Sequence, residues 1–417
     1  MSILSLQKQS QNTDFPNLRP SLDLRFALAK KLDPRITFTR GSTGTYFGPD
    51  GLMRTAGVNE PRFDHDPVTG QSLGLLVEES RQNLLTYSND FSNPAWFIGT
   101  LLYSSNNVIS PDGTQNASTF TANVITASLN YIYQSFTCSA STTYTFSFYV
   151  KLGTLPASSY KIAVYNNTAS SFIAVDVVPT QTLSTTSWTR VSYTFTTPAG
   201  CVSARVYPYR NNSFTQNNGT FYLWGAQVEA GSFPTSYIPT TASTVTRSAD
   251  NAQMLGTNFS SWYNQSEGTI YLETDKLYPG NFDAYRHPYR IDSGSNADQI
   301  TAYTLPGATT ITNYGIINGG RQVNDYQQIN IGSNPIRYKL GQSVNAKYFF
   351  FTTSTGRVPP QLPSSSAPNT HNLSLATNMS RLFIGSSAGG AYMNSHIARF
   401  TYYPIQLTNQ QLINLTS

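Results

Sequence analysis

The sequence predicts an all-β protein: a small N-terminal β-hairpin block followed by two β-sandwich domains. Three observations carry that expectation. Between Leu22 and Leu85, β-rich runs such as Ile36-Thr37-Phe38-Thr39-Arg40 and Ser72-Leu73-Gly74-Leu75-Leu76-Val77 are separated by the turn chemistry of Pro49-Asp50-Gly51 and Asp66-Pro67-Val68-Thr69-Gly70. Further on, Tyr144-Thr145-Phe146-Ser147-Phe148-Tyr149-Val150-Lys151 alternates with period two, which sets Tyr144, Phe146, Phe148 and Val150 on one face of a strand. Charged residues make up only 11% of the chain and aromatic residues 13%, with 27 Tyr and 23 Phe. Neutral polar sheet faces have that profile, and Lys/Glu-covered helices do not.

A chain of 417 residues exceeds one ordinary core, and its pattern divides it into residues 1–88, 89–240, a Thr-, Ser- and Ala-rich linker at 241–250, and 251–417. The first part opens with a polar arm of about twenty residues, expected to dock on another subunit. The second opens on Asn89-Asp90-Phe91-Ser92-Asn93-Pro94-Ala95-Trp96 and continues with strands through Val191, Tyr193 and Phe195 and through Phe221-Tyr222-Leu223-Trp224. About eight such runs make a sandwich. The third has strands at Thr269–Glu273, Ala346–Phe351, Arg381–Gly385 and His396–Phe400, and closes on a short helix in which Thr408 and Gln411 have the spacing of an N-cap and its reciprocal partner. Both sandwiches have apolar alternation of their own, so each is expected to fold without residues 1–88.

Composition excludes several functions. The net charge of +5 comes from 26 basic and 21 acidic residues, and the densest basic group, Arg25, Lys30, Lys31 and Arg35, is interrupted by apolar residues, so a nucleic-acid partner is not expected. No run of about 18 apolar residues offers a membrane span. The N-terminus lacks a basic segment followed by an apolar one, which reads as synthesis in a cytoplasm without export. Cys138 and Cys201 are the two cysteines, both at expected strand ends. A bridge between them is geometrically possible, but a reducing compartment favours two buried thiols.

The polar motifs read as structure. In Asp64-His65-Asp66, neighbouring side chains of an extended segment point to opposite faces and Pro67 begins a turn, so a hydrogen-bonded turn is expected rather than a metal site. His65, His287, His371 and His396 stand singly, without zinc spacing. Glu78, Glu79 and Arg81 are expected to satisfy backbone groups or an inter-subunit pair.

Three stretches resemble known families. LDPRITFTRGSTGTYFGPDGL…NEPRFDHDPVTGQSLGLLVEESRQNLL looks like the N-terminal block of tailed-phage virion proteins, especially tail-fibre, baseplate and adhesin-like chains of cyanophages and related viruses. NLLTYSNDFSNPAW…PDGTQNAS…YTFSFYVK…WTRVSYTF…FYLWGAQVEAGSFPTSYIPT resembles the jelly-roll carbohydrate-binding modules of phage fibres and polysaccharide-degrading enzymes, most specifically in its closing phrase from Trp224 to Thr240. GTIYLE…LFIGSS…HIARFTYYPIQLTNQQLINL resembles concanavalin-A-like lectin/glucanase sandwiches of the laminin-G type.

The resemblances imply a non-enzymatic virion protein of the tail-fibre, baseplate or adhesin type, exposed on the particle. It would dock on other virion proteins through its N-terminal block, form a homo-oligomer, trimer or hexamer, and present its sandwiches to host surface polysaccharide or to neighbouring subunits. A capsid-decorating or cement protein is the alternative. A polysaccharide depolymerase is disfavoured: some enzymes on the third fold carry Glu-x-Asp-x-x-Glu on one strand, and here Glu273 and Asp275 are followed by Leu277 and Tyr278 instead of a last carboxylate. Jelly rolls of this kind often hold structural calcium, for which Asp90, Asp112 and Glu229 are the available carboxylates. Glycan binding needs flat aromatic faces flanked by amides and hydroxyls, and the candidates are Tyr207, Tyr209, Arg210, Asn211, Asn212 and Trp96. Simple alternation would put Tyr207 and Tyr209 together on the outward face of a strand, with Pro208 marking an edge position.

Overall fold

The structure is a computed structural model that describes residues 19–122, 129–211, 218–274, 285–295, 298–304, 378–388 and 390–407, the backbone of strands within 310–354, and residues 411 and 415. It is 48% strand and 4% helix, all-β as the sequence implies. The chain forms two compact units, one of residues 40–71 and 80–249, the other of 1–39, 72–79 and 250–417. Residues 19–88, part of a segment expected to stand as one block, are therefore shared out between two bodies. Their strands are only three to six residues long, too short to bury an apolar face by pairing with one another alone.

The unit of residues 40–71 and 80–249 is a sandwich of ten strands: β1 (Phe97–Ile98), β2 (Leu102–Val108), β3 (Ala117–Ala122), β4 (Asn130–Thr137), β5 (Thr143–Leu152), β6 (Ile162–Asn166), β7 (Ser171–Val177), β8 (Thr189–Thr196), β9 (Ser203–Asn211) and β10 (Gly219–Ala230). One sheet runs β8-β5-β10-β3-β2 and the other β7-β6-β9-β4-β1. Alternation along β5 does what the sequence predicts, turning Tyr144, Phe146, Phe148 and Val150 into the core, where they meet Ile132, Phe136, Ile162, Val206, Phe221 and Val228.

A hairpin of Gly44–Phe47 with Met53–Ala56, turned at Gly51 with φ of 74°, lies against the outer face of the β8-β5-β10-β3-β2 sheet. Met53 and Phe47 pack there on Tyr149 and Trp224, the Phe47 ring meeting that of Tyr149 edge-on at 6.5 Å. The hairpin belongs to the segment that the sequence assigns to assembly. Its effect on the fold is to occupy an outer face that large aromatic side chains would otherwise expose.

The other unit is also a sandwich. One sheet joins Phe349–Ser354, Tyr338–Asn345, Glu267–Thr274, Ser395–Tyr403 and Ser72–Val77, with Leu22–Leu24 also pairing to Ser395–Tyr403. The second runs Thr37–Thr39, Asn251–Leu255, Arg381–Ile384, Arg286–Asp292, Gln299–Thr304, Thr310–Ile317 and Arg321–Val323. Tyr289 of the second sheet meets Phe400 of the first edge-on at 5.6 Å, and Leu22, Leu24, Phe26, Leu75 and Val77 from the N-terminal residues are buried in this unit. Glu79 pairs with Arg286 at 2.9 Å and accepts from Asn394 at 3.1 Å, a pairing inside the chain where an inter-subunit one was an option. Thr408, the expected N-cap of the closing helix, lies outside the described residues.

Candidate functional site

The β7-β6-β9-β4-β1 sheet carries a continuous band of aromatic rings on its outer face. Along β4, Ile132, Gln134 and Phe136 turn inward and are buried, so Tyr131 and Tyr133 turn outward, partly exposed. Phe97 of β1, 51% exposed, stacks on both, at 6.0 Å from Tyr131 and 5.2 Å from Tyr133. Gly99, just beyond β1, lets the Tyr131 ring lie against the backbone, since a Cβ there would sit 2.8 Å from it. On the far side Tyr165 of β6 meets Phe172 of β7 edge-on at 4.8 Å, and Phe172 is 40% exposed. The band crosses five strands, about 19 Å at the usual strand spacing.

Two arginines are set into the band. The Arg205 guanidinium lies between two tyrosines, 4.7 Å from the Tyr133 ring centroid and 4.5 Å from that of Tyr165, and its Nε donates to Asn167 Oδ1 at 2.5 Å. Arg210 stacks on Phe172 at 4.6 Å and reaches Asp176 at 3.4 Å. Planar guanidinium on an aromatic face is favourable; Arg205 is partly exposed, whereas Arg210 is buried.

Tyr207 and Tyr209 do not share a face. Ile132 is opposite Tyr209 and Gln134 opposite Val206, so two steps along β4 span three along β9. This extra residue is a bulge, and it reverses the alternation beyond it. Ala204, Val206 and Tyr209 all belong to the core, Tyr209 fully buried at 4.5 Å from Phe221 and 5.4 Å from Tyr160. Tyr207 turns outward, yet only 6% of it is exposed, because the rings of Tyr133, Tyr131 and Phe172 surround it at 5.1, 6.1 and 6.4 Å. Burial raises the Tyr207 phenol above its ordinary value, with Arg205 opposing. Pro208 is at this bulge in a central strand, not at an edge, and its carbonyl accepts from the Tyr160 hydroxyl at 2.6 Å.

Of the other predicted glycan contacts, Arg210 is on the aromatic face. Trp96 is in the core, tilted against Phe91 at 4.8 Å with its Nε1 donating to the Tyr87 carbonyl at 2.9 Å. Asn211 is buried and donates to the Ser159 carbonyl at 2.6 Å, while Asn212 lies outside the described residues. Phe97, Tyr131, Tyr133, Tyr165, Phe172 and Arg205 are additions from the structure. Tyr131-Ile132-Tyr133 has the same i, i+2 spacing that singled out Tyr207 and Tyr209, and there, with no bulge between the tyrosines, the spacing does give one face.

The three carboxylates assigned to calcium are engaged separately, Asp90 and Asp112 in two different turns and Glu229 on β10. Asp90 accepts from the Ser92 hydroxyl at 2.5 Å; Asp112 accepts from Ser110, Thr114 and Asn116, which together hold its carboxyl below the ordinary value against its burial. Glu229 is fully buried and accepts from Gln227 at 2.8 Å and from the Thr235 amide and hydroxyl at 2.8 and 2.7 Å, and burial raises its carboxyl above the ordinary value. It therefore fastens the closing phrase of the jelly roll. Among the described residues no three or more His, Cys, Asp or Glu gather as metal ligands would. Asp66 caps its own turn through Val68 and Thr69, and the Asp64 carboxylate accepts from the Phe47 amide.

Cys138 and Cys201 are buried with their Sγ atoms 3.6 Å apart, and burial pushes the Cys138 thiol up to about 12. In the other unit, Glu273 accepts a hydrogen bond from the Tyr271 hydroxyl, and Asp275 lies outside the described residues.

A family model described as a carbohydrate binding domain matches residues 110–213, the segment that supplies most of the aromatic face. No curated protein matches the chain. Among solved structures, the chain is similar to the CBM40 domain of the Ruminococcus gnavus IT-sialidase bound to alpha2,6 sialyllactose, with 11% identity over 38% of this chain and 88% of that one and a TM-score of 0.28. The tandem CBM22-1-CBM22-2 domain of Paenibacillus barcinonensis Xyn10C matches at 11% identity over 80% of this chain and 99% of that one, TM-score 0.28. The enzymatically active domain of bacteriophage CBA120 tailspike protein 4 matches at 12% identity over 36% of this chain and 21% of that one, TM-score 0.27.

Proposed function

We propose that this protein is a non-enzymatic glycan-binding component of a virion, of the tail-fibre, baseplate or adhesin type, and that it binds host surface polysaccharide on the outer face of the β7-β6-β9-β4-β1 sheet. The observation that carries the glycan reading is the band of Phe97, Tyr131, Tyr133, Tyr207, Tyr165 and Phe172 within and beside the segment matched by the carbohydrate binding family. Rings in a row take the apolar faces of successive sugars, and the arginines and Asn167 at their rim supply hydrogen bonds to ring substituents. The opposite outer face of the sandwich is occupied by the hairpin on Tyr149 and Trp224.

The virion role rests on the resemblance of residues 22–88 to tailed-phage proteins, with docking on other virion proteins through that block. A stacked ring contributes about 0.5–1.5 kcal/mol beyond its area, so a single site is weak and adhesion comes from many copies, as in a trimeric or hexameric appendage. The absence of catalysis is supported by Leu277 and Tyr278 at the positions of a further carboxylate.

The test is binding of the full chain to an array of surface polysaccharides, with Tyr133→Ala and Phe97→Ala as variants. Affinity falling about tenfold in the variants, with the melting temperature lowered by no more than about 4 °C, is the expected result. Equal binding by wild type and both variants would remove this face as the site.

A further inference from the structure

We propose that the aromatic face selects polysaccharides bearing carboxylate groups, with Arg205 as the residue that makes the selection; this rests on the glycan reading of the same face. Arg205 is partly exposed and fixed from both sides by the rings of Tyr133 and Tyr165 and at Nε by Asn167. Among the described residues it has no acidic partner. Its sandwich leaves the charge of the guanidinium uncompensated in the middle of the band, where a ligand stacked on Tyr133 must pass beside it. Arg210 is differently placed, since Asp176 at 3.4 Å shares its charge.

Among the described residues the face thus carries two guanidinium groups against one carboxylate. An acid directly opposite an arginine on the adjacent strand would stabilise it, but the residues opposite Arg205 are Ser135 on β4 and Tyr165 on β6. A fork held planar between two rings loses little rotamer freedom on binding and accepts a carboxylate with two parallel hydrogen bonds. The tyrosines supply stacking to any sugar, neutral or acidic. Discrimination between the two then comes from the one fixed, unpaired charge among them.

The experiment presents the full chain to an array of paired polysaccharides, each acidic polymer beside its carboxyl-reduced counterpart. Wild type is expected to hold the acidic member of a pair at least tenfold more tightly, with the preference shrinking as salt is raised. Arg205→Gln should remove the preference, weakening the acidic member of a pair at least tenfold more than its neutral counterpart, and Arg205→Lys, which keeps the charge but loses the fork, should retain part of it. Tyr133→Ala should weaken both members. Equal binding of paired polymers by a wild-type protein that still loses both in Tyr133→Ala would overturn the selection by charge and leave the glycan face standing. An acidic preference that survives Arg205→Gln would equally overturn the role of Arg205. Binding of no polymer at all would sink the glycan face and this inference together.

Discussion

Tyr209→Ala and Tyr133→Ala should separate the two sides of the β7-β6-β9-β4-β1 sheet. Tyr209 is fully buried, its ring 4.5 Å from that of Phe221 and 5.4 Å from that of Tyr160. Truncating an aromatic side chain in such a site costs about 3–5 kcal/mol, as lost transfer energy and a cavity that the surrounding sheets only partly close. Against a total stability of about 5–15 kcal/mol, that loss moves the urea midpoint of this unit down by about 1–3 M. Tyr133 is partly exposed on the outer face, and its removal should cost about 1 kcal/mol of stability while weakening glycan binding. The assay is urea unfolding of the full chain followed by tryptophan fluorescence. The buried Trp96 and Trp224 report on this unit, and the transition is fitted separately from that of the other unit because two units need not unfold together. If Tyr209→Ala unfolds at the wild-type midpoint and loses glycan binding as Tyr133→Ala does, the bulge between Val206 and Tyr209 does not exist and both tyrosines of β9 face outward.

Three further outcomes follow from the packing. Mild oxidation with diamide should join Cys138 and Cys201 into a disulfide, closing a loop of 63 residues and stabilising the unit by about 4 kcal/mol; the reaction should be slow because burial pushes the Cys138 thiol up to about 12, and two thiols still titratable after prolonged oxidation of the native chain would refute it. Deleting residues 1–88 should leave a chain that binds a hydrophobic dye and fails to unfold cooperatively, since the cut removes Leu22–Leu24, Thr37–Thr39 and Ser72–Val77 from the two sheets of one unit; a soluble 89–417 chain with sharp unfolding would refute the shared architecture. His287 is partly buried and held neutral, its value lowered from 6.5 to about 4 by desolvation and then by Arg290, so its contribution is complete above pH 6.5 and is lost as pH falls toward 4, by at most about 3 kcal/mol. Asp23, Asp33 and Asp112 are held below 3.8 and lose their contribution only at lower pH, so a wild-type decline between pH 6.5 and 4.5 that His287→Gln reproduces in full would show that His287 is not its source.

Strand chemistry is local, and what was local in this chain was legible. The period-two run turned Tyr144, Phe146, Phe148 and Val150 inward as written, and the turns at Pro49-Asp50-Gly51 and Asp66–Gly70 formed where their residues placed them. What could not be read was pairing, because a strand of three to six residues has the same composition whichever neighbour completes its sheet. Leu22–Leu24 and Ser72–Val77 therefore looked like members of one hairpin block, yet both pair with Ser395–Tyr403, more than three hundred residues away. The candidate site failed for the same reason on a smaller scale. Whether Tyr209 faces the core or the solvent depends on a single extra residue that exists only relative to β4. Pro208 was the local sign of it: a residue with no N–H is tolerated in a central strand where the ladder is already interrupted, so a proline between two candidate tyrosines marks the place where their alternation should not be trusted.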